Sequence, residues 1–304
     1  MIYSIGDLRA DINIEAGVDS EARYCLGGTA SNFAAFAAMM GCPVTLLSTA
    51  GKNATGNYLI SELRKAGVNT DRIKRTDNGF FSTIIVTENG ETVAQPILRE
   101  PGAVYDDISS IDFSGLVIGK HDIIHTTGAC IEDDMRGNRD LVEFLRKASE
   151  CGAVISFDMN LRNEYMGEGS ERIGTILEIA HMSRILFGSG DELGYLTGFD
   201  LEESVKDLSY TGRTVIGRNE ADDVLLGING DVTRFPVQSV KVVNPLGAGD
   251  AFDAGFIFGA NRHAPPSACV RAGMFSAGYT ISRKEPRKVP SEEMLEKVID
   301  QPEA

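Results

Sequence analysis

Residues 244–255 read Asn-Pro-Leu-Gly-Ala-Gly-Asp-Ala-Phe-Asp-Ala-Gly, and the rest of the chain is organised around this stretch. The run before it, Val240 to Val243, predicts a β-strand, and the small residues from Ala248 to Ala260 predict a helix. A strand, a tight turn and a helix N-terminus should therefore follow one another directly. Because residues 247–249 have almost no side chains, their N–H groups can converge where the helix dipole adds positive charge.

Asp250 lies in the first turn of that predicted helix. A carboxylate is unexpected in a turn that only holds phosphate, but it suits a base that takes a proton from an incoming hydroxyl. In the alternative interpretation, Asp250 caps the helix and the two glycines form an ordinary turn. The short motif by itself does not decide between the two.

A second glycine-rich turn, residues 27–32, reads Gly-Gly-Thr-Ala-Ser-Asn and precedes a helix predicted up to Met40, which Gly41 ends. Paired glycines allow a backbone to come very close to a ligand. Asn32 offers both a donor and an acceptor, which suits two neighbouring hydroxyls. The alternative is a plain turn in which Asn32 is satisfied locally.

The composition excludes several classes of protein. With 44 acidic and 29 basic residues the net charge is −15, which argues against a nucleic-acid partner. The five cysteines lack CxxC spacing and the four histidines lack metal-ligand spacing, so we expect reduced core thiols, structural histidines and no zinc. The sequence has no signal peptide and no run of about 18 apolar residues, so we expect a cytoplasmic protein that does not bind membranes.

Two predicted hairpins, near 9–26 and 80–99, interrupt a regular alternation of strands and helices. The alternation predicts an α/β fold with a mostly parallel sheet that is covered by helices on both faces. The hairpins could pair as a small sheet with one uncovered face, which indicates a lid and a dimer contact. The loops that begin after four strands should line one crevice at the carboxyl ends of the sheet. These strands end at Phe157, Gly188, Arg218 and Val243.

The two glycine-rich stretches resemble the two signatures of the ribokinase (PfkB) family of sugar kinases, and they occur in the family's order. The resemblance implies a ribokinase-like three-layer αβα sandwich that forms one kinase domain over residues 1–304. The lid would comprise about 9–26 and 71–103. The resemblance further implies phosphorylation of a primary hydroxyl on a sugar or sugar acid, with ATP and Mg²⁺ and with a homodimer formed through the lid.

The resemblance also assigns roles to residues. Asp250 falls on the family's catalytic base, and Gly247, Ala248 and Gly249 fall on its anion hole. Sugar-binding positions fall on Asp11, Gly27, Gly28 and Asn32. Asp11 could equally be a solvated strand residue.

Two arginines are candidates for the acceptor site. Asn160 and Arg162 belong to a D-x-N-x-R segment found in several sugar kinases, and Arg162 would face substrate or phosphate. Arg99 resembles a lid arginine of fructokinases and 2-keto-3-deoxygluconate kinases, and it could bind a carboxylate. Each arginine could instead form a surface ion pair, Arg162 with Asp158 or Glu164, and Arg99 with Asp106 or Asp107.

The nucleotide side departs from the family pattern. We expect four residues beside the nucleotide: Ser189, Gly217, Asn219 and Gly249. We expect Glu192 to hold Mg²⁺ through water. The family pattern here is an N-x-x-E motif, in which Ser189 replaces the usual Asn. Asn244-Pro245 replaces a common Asp-Thr pair, which puts activation by potassium in doubt. The loop after Asn219 carries three acids, at positions 220, 222 and 223, which is unusual near a nucleotide.

Other functions are weighed against a carbohydrate kinase. The aromatic residues Phe80, Phe81 and Tyr105 keep a nucleoside kinase open, since such enzymes stack the base on lid aromatics. A sugar-binding sensor without turnover is a further alternative, although the intact Gly-Ala-Gly-Asp run argues against it. A dinucleotide-dependent oxidoreductase is disfavoured because no GxGxxG opens a βαβ unit.

Overall fold

The computed structural model describes residues 1–15, 22–77, 81–88, 91–94, 97–99, 110–131, 135–161, 171–219, 223–283 and 287–301. A nine-stranded sheet forms its centre, in the order β14-β13-β12-β11-β10-β9-β1-β4-β5. The strands are β1 (Ile2–Ile5), β4 (Val44–Gly51), β5 (Ile73–Thr76), β9 (Ile123–Thr127), β10 (Val154–Asp158), β11 (Ile185–Ser189), β12 (Thr214–Asn219), β13 (Asp223–Ile228) and β14 (Asp231–Pro236). The pairs from β12 to β5 are parallel, while β13 and β14 extend the edge as antiparallel strands.

Helices cover both faces of this sheet and give the expected three layers. They are α1 (Thr29–Met39), α2 (Ala54–Lys65), α3 (Met135–Glu150), α4 (Glu171–Met182), α5 (Gly190–Thr197), α6 (Leu201–Ser209), α7 (Ala248–Asn261), α8 (Pro266–Ile281) and α9 (Glu292–Ile299). The alternation of side chains along a strand separates two cores. On β11, Ile185 and Phe187 pack with α1 and α7, whereas Leu186 packs with α3 and α4.

The two predicted hairpins form one small sheet. It contains β2 (Arg9–Glu15), β3 (Ala22–Gly27), β6 (Phe81–Glu88), β7 (Glu91–Ala94) and β8 (Ile97–Arg99). Within each hairpin the strands are antiparallel, and β2 joins the two by pairing with β6 in parallel. The second hairpin divides its returning strand between β7 and β8, so the sheet has five strands rather than four.

The strand predicted at Val240 to Val243 is wrong. The segment has no strand pairing, and the N–H groups of Val243 and Asn244 donate to the carbonyl of Ile281 at the end of α8, at 2.8 and 3.0 Å. Val240 and Val242 remain 39% and 49% exposed, so the apolar run does not enter the core. The edge of the sheet is supplied instead by β14, which the sequence analysis did not predict.

The cysteines and the buried histidine agree with the predictions, apart from one thiol. All five cysteines are free, and four of them are buried, but Cys151 is exposed. His125 lies inside the sheet, where its ring stacks on Phe33 at 3.8 Å and Nδ1 is 3.0 Å from the hydroxyl of Ser156. Burial lowers the pKa of His125 to about 3, so the ring is neutral and structural.

Because β1, β4, β9, β10, β11 and β12 are parallel, their carboxyl ends lie at one edge of the central sheet. Helix α1 begins near the end of β1, and the side chain of Phe36 in α1 lies against the start of α7. The two glycine-rich motifs therefore meet at the edge where ligands of such sheets bind.

Candidate active site

The Gly-Ala-Gly run forms the N-terminus of α7. Gly247 is the N-cap residue with φ +78°, a left-handed conformation that favours glycine, and a Cβ atom there would lie 3.2 Å from the ring of Phe36. The first N–H groups of a helix have no intrahelical acceptor. That of Ala248 makes only a long bond of 3.4 Å to the carbonyl of Pro245. The helix end can therefore present N–H groups to an anion.

Asp250, in the first turn of α7, is held by Asn32 from α1. The Nδ2 group of Asn32 donates to Oδ2 of Asp250 over 2.9 Å, and the Oδ1 atom of Asn32 accepts from Nε of Arg287 at 3.3 Å. Three distant parts of the chain therefore meet at one carboxylate. The side chain of Asp250 is half-buried, so it is neither sealed in the core nor fully solvated. A half-buried carboxylate beside open helix N–H groups is suited to proton transfer.

A buried carboxylate, Asp7, shapes the first glycine turn. It accepts hydrogen bonds from the N–H groups of Thr29 and Ala30, at 3.2 and 3.0 Å, and pairs with Nε of Arg9 at 2.9 Å. Gly28 has φ +96°, and a Cβ atom there would lie 2.9 Å from the carbonyl and carboxylate oxygens of Asp7. Asp7 thus satisfies the start of α1 and fixes the path of the turn.

Gly27 and Asp11 lie against one another across the small sheet. A Cβ atom on Gly27 would lie 2.2 Å from the carboxylate of Asp11, well inside any van der Waals contact. The glycine therefore makes the space that the carboxylate occupies. Both residues were expected at the acceptor site, and the structure places them together.

A buried charge cluster lies beside the start of α7. Arg218, at the end of β12, binds Asp158 through Nη2 at 2.5 Å and Asp253 through Nη1 at 3.1 Å. The same Nη1 atom would lie 3.3 Å from a Cβ on Gly249, so the guanidinium lies against the predicted anion hole. The rings of Phe187 and Phe252 lie within 5.9 and 6.0 Å of the guanidinium carbon.

Burial is the largest influence on the pKa values of the charged groups in this cluster. It raises the pKa of Asp158 and raises that of Asp253 well above its usual range. The charge of Arg218 opposes both shifts, while Asp158 raises the pKa of Asp253 further. Burial alone would lower the pKa of Arg218, but Asp158, Asp253 and Glu192 outweigh burial and raise it. The guanidinium therefore stays charged, and the surrounding acids exceed it in number.

Glu192 is engaged by the backbone. Its Oε2 atom accepts from the N–H of Ser189 and its Oε1 atom from the N–H of Leu161, both at 2.8 Å, while the Ser189 hydroxyl accepts from the N–H of Glu192 at 3.4 Å. Ser189 and Glu192 thus form a capping box at the start of α5. Ser189 stands where the family motif has Asn, and either side chain can cap a helix in this way.

Other expected residues have a packing role or lie outside the site. Gly217 is buried and packs closely against α6, where a Cβ atom would lie 2.6 Å from Val205. Asn219 is exposed at the end of β12. Asn160 follows β10 with φ +33°. Arg99 belongs to β8, but its side chain is outside the described part of the chain, as is all of Arg162.

Of the three acids expected in the nucleotide loop, only Asp223 is among the described residues. It pairs with Arg234 at 3.2 Å. Of the three lid aromatics, only the backbone of Phe81, at the start of β6, is described. The Asn244 side chain accepts from the N–H of Leu246 at 3.1 Å, so this residue supports the turn that leads to Gly247.

Sequence reasoning missed three residues of the site: Asp7, Arg218 and Arg287. Asp7 lies two residues after β1 and Arg218 lies at the end of β12, where site residues of parallel sheets gather, and that position was a usable signal. Arg287 follows α8, far from either motif, with a left-handed φ of +63°. No short pattern identifies such a residue, because only the folded chain brings it to Asn32.

Comparisons with known proteins agree with this geometry. The description of the pfkB family carbohydrate kinases matches residues 4–293. The chain is 27% identical over 269 residues to aminoimidazole riboside kinase of Salmonella typhimurium, covering 86% of this chain and 81% of that protein. It is 26% identical over 245 residues to 5-dehydro-2-deoxygluconokinase of Clostridium tetani, covering 77% and 71%. The crystal structure of fructokinase with bound ATP from Xylella fastidiosa has a similar fold, with a TM-score of 0.81, 21% identity, and 98% and 97% of the chains covered.

The fold and the site define a phosphotransferase that acts on an alcohol group. The chain belongs to the pfkB family of carbohydrate kinases. Sugar kinase activity and the use of ATP follow from this membership.

Proposed function

We propose that this enzyme transfers the γ-phosphoryl group of ATP to a primary hydroxyl of a sugar or sugar acid, with Asp250 as the base. The observation that carries the proposal is the position of Asp250. Its carboxylate lies at the N-terminus of α7 and accepts a hydrogen bond from Asn32 of the other glycine motif at 2.9 Å. A proton acceptor and a set of helix N–H groups are thereby placed side by side.

In this mechanism Asp250 takes the proton from the acceptor hydroxyl while the hydroxyl oxygen forms a bond to the γ-phosphorus. The bond between that phosphorus and the bridging oxygen breaks, and ADP leaves. General base catalysis of this kind contributes typically about 10²–10⁴-fold. The N–H groups of Gly247, Ala248 and Gly249 stabilise negative charge on the transferred group, and the helix dipole adds to this effect. Asp11, Gly27, Gly28 and Asn32 bind and orient the acceptor's other hydroxyls.

The residues present fit Mg²⁺ bound mainly by the nucleotide. No cluster of three or more His, Cys, Asp or Glu able to hold a metal occurs among the residues that the structure describes. Glu192 offers hard carboxylate oxygens, each with one lone pair left after its N–H bond, which suits an ion held through water. When bound, Mg²⁺ neutralises charge on the β- and γ-phosphates.

The other expected features belong to the same proposal. The small sheet would close over the acceptor and pair two copies of the chain, and Ser189, Gly217 and Asn219 would border the nucleotide.

No helix in the described part of the chain has the length and apolar character needed to cross a bilayer. Replacement of a common Asp by Asn244, which is used within its own turn, supports turnover that does not depend on potassium.

The activity is tested by measuring ADP release from ATP and Mg²⁺ over a panel of neutral sugars, sugar acids and nucleosides. Each reaction is compared with one that lacks acceptor, which gives the background ATPase rate. We expect a neutral sugar or sugar acid to give the highest kcat/KM. A preference for a nucleoside would instead support the alternative function, that of a nucleoside kinase. Tight binding of a sugar without turnover of any compound would instead identify a sensor.

A further inference from the structure

Arg287 lies in the acceptor site without belonging to either signature. It follows α8 and has a left-handed backbone φ of +63°, an uncommon conformation for a long side chain that is often retained for function. Its Nε atom donates to Oδ1 of Asn32 at 3.3 Å. Asn32 in turn donates to Asp250 at 2.9 Å. A continuous hydrogen-bonded line therefore runs from the guanidinium through one amide to the carboxylate.

The amide in the middle of this line can be held in only one orientation. With Oδ1 bound to a cation, Nδ2 faces Asp250, and the opposite orientation would oppose oxygen to carboxylate and nitrogen to guanidinium. Arg287 thus fixes the rotation of the Asn32 side chain. Through it, Arg287 restricts the Asp250 carboxylate.

Charge at the site adds a second effect. The groups that act electrostatically on Arg287 come from four elements: Asp11 of β2, Cys25 of β3, Tyr58 of α2 and Asp250 of α7. Burial, the largest of the effects, lowers the pKa of Arg287, while these groups oppose it, and an arginine stays charged at every working pH. Arg287 is therefore a charged donor, and the charge strengthens its hydrogen bond to Asn32.

We propose that Arg287 is a positioning residue for phosphoryl transfer: it acts through Asn32 to orient Asp250. The inference rests on the proposed function, since it requires Asp250 to accept the proton. A substrate pocket whose base is misplaced by about 1 Å can lose on the order of 10²-fold in rate. Arg287 therefore controls turnover although it need not touch the reacting atoms.

The test compares wild type, Arg287→Gln and Arg287→Lys by steady-state kinetics, with the acceptor that the panel identifies. Arg287→Gln should lower kcat by about 10–100-fold, because the base is no longer held. The KM for ATP should not change. Arg287→Lys keeps a cationic donor that can reach Asn32 and should regain part of the lost rate.

A double-mutant cycle with Asn32→Ala separates this role from simple structural support. If Arg287 acts through Asn32, the double variant should be no slower than Asn32→Ala alone. Additive losses, or equal losses in the Gln and Lys variants, would overturn the inference. If Arg287→Gln does not fold, as judged by circular dichroism and thermal melting, the Lys variant and its cycle decide. A wild-type enzyme that phosphorylates no acceptor would refute the proposed function and this inference with it, whereas an active wild type with an equally active Arg287→Gln would refute only the inference.

Discussion

Asn32 and Asp250 are 218 positions apart in the chain, and their side chains are joined by a hydrogen bond of 2.9 Å. Each residue belongs to a different glycine-rich motif and lies in the first turn of its own helix. The bond shows that the N-termini of α1 and α7 open at the same place. The residues proposed to bind the acceptor and to act as the base can therefore share one pocket.

Asp250→Asn should lower kcat by about 10²–10⁴-fold, because the amide keeps the shape of the side chain but cannot accept a proton in the same way. Binding of ATP and of acceptor, measured by calorimetry, should remain close to wild type. An unchanged kcat would contradict the assignment of Asp250 as the base.

Gly27→Ala should raise the acceptor KM by about tenfold or more, because the new Cβ displaces the Asp11 carboxylate and a hydrogen bond to a charged group is worth about 1.5–3 kcal/mol. The KM for ATP should stay the same. Gly174→Ala in α4 is the matched control, since nothing lies within 4 Å of its Cβ position. An acceptor KM that is equal in both variants would remove Asp11 from the acceptor site.

Arg218→Met should lower the free energy of unfolding by about 3–5 kcal/mol, since it leaves Asp158 and Asp253 buried without their cation. Arg234 pairs with Glu202 and Asp223 at the surface, where its side chain is 53% exposed. Arg234→Met should therefore leave the free energy of unfolding close to that of wild type. Urea unfolding at pH 7 measures both, and equal losses would show that burial does not distinguish the two clusters.

Wild-type stability should fall on acidification in part because of His125. Its pKa is about 3 in the folded protein and near 6.5 when unfolded, so only the unfolded chain takes up a proton between these values. This contribution is complete above pH 6.5 and is lost at about 1.4 kcal/mol per pH unit as pH falls towards 3. His125→Asn, compared with wild type by urea unfolding at several pH values, should show a shallower dependence below pH 6.5. Parallel curves would contradict a buried neutral ring.

Arg99→Ala should reduce kcat/KM for sugar acids by at least tenfold more than for neutral sugars, because a lid arginine binds a carboxylate in a charge-assisted pair. Both classes of acceptor are measured with the same enzyme preparation. Equal losses on both classes would exclude a carboxylate contact at Arg99.

The sequence by itself determined the fold class and the position of both motifs. Glycine at positions 28 and 247 is favoured by local geometry, since both residues have a left-handed φ. Such constraints depend on neighbouring residues and leave a readable pattern. The parallel sheet followed in the same way from alternating strand and helix periodicities.

Only the tertiary structure decided which strand forms the edge of the sheet and which charged residues surround Asp250. Val240 to Val243 has the composition of a strand, but its N–H groups meet the end of α8 and the sheet finishes with β14 instead. Arg218 contacts Asp253, which lies 35 positions away in the chain, and Arg287 contacts Asn32, which lies 255 positions away. These pairings depend on how helices and loops pack around the carboxyl edge of the sheet. That packing is a property of the whole core, which is why the charged groups around Asp250 could be assigned only after the chain was folded.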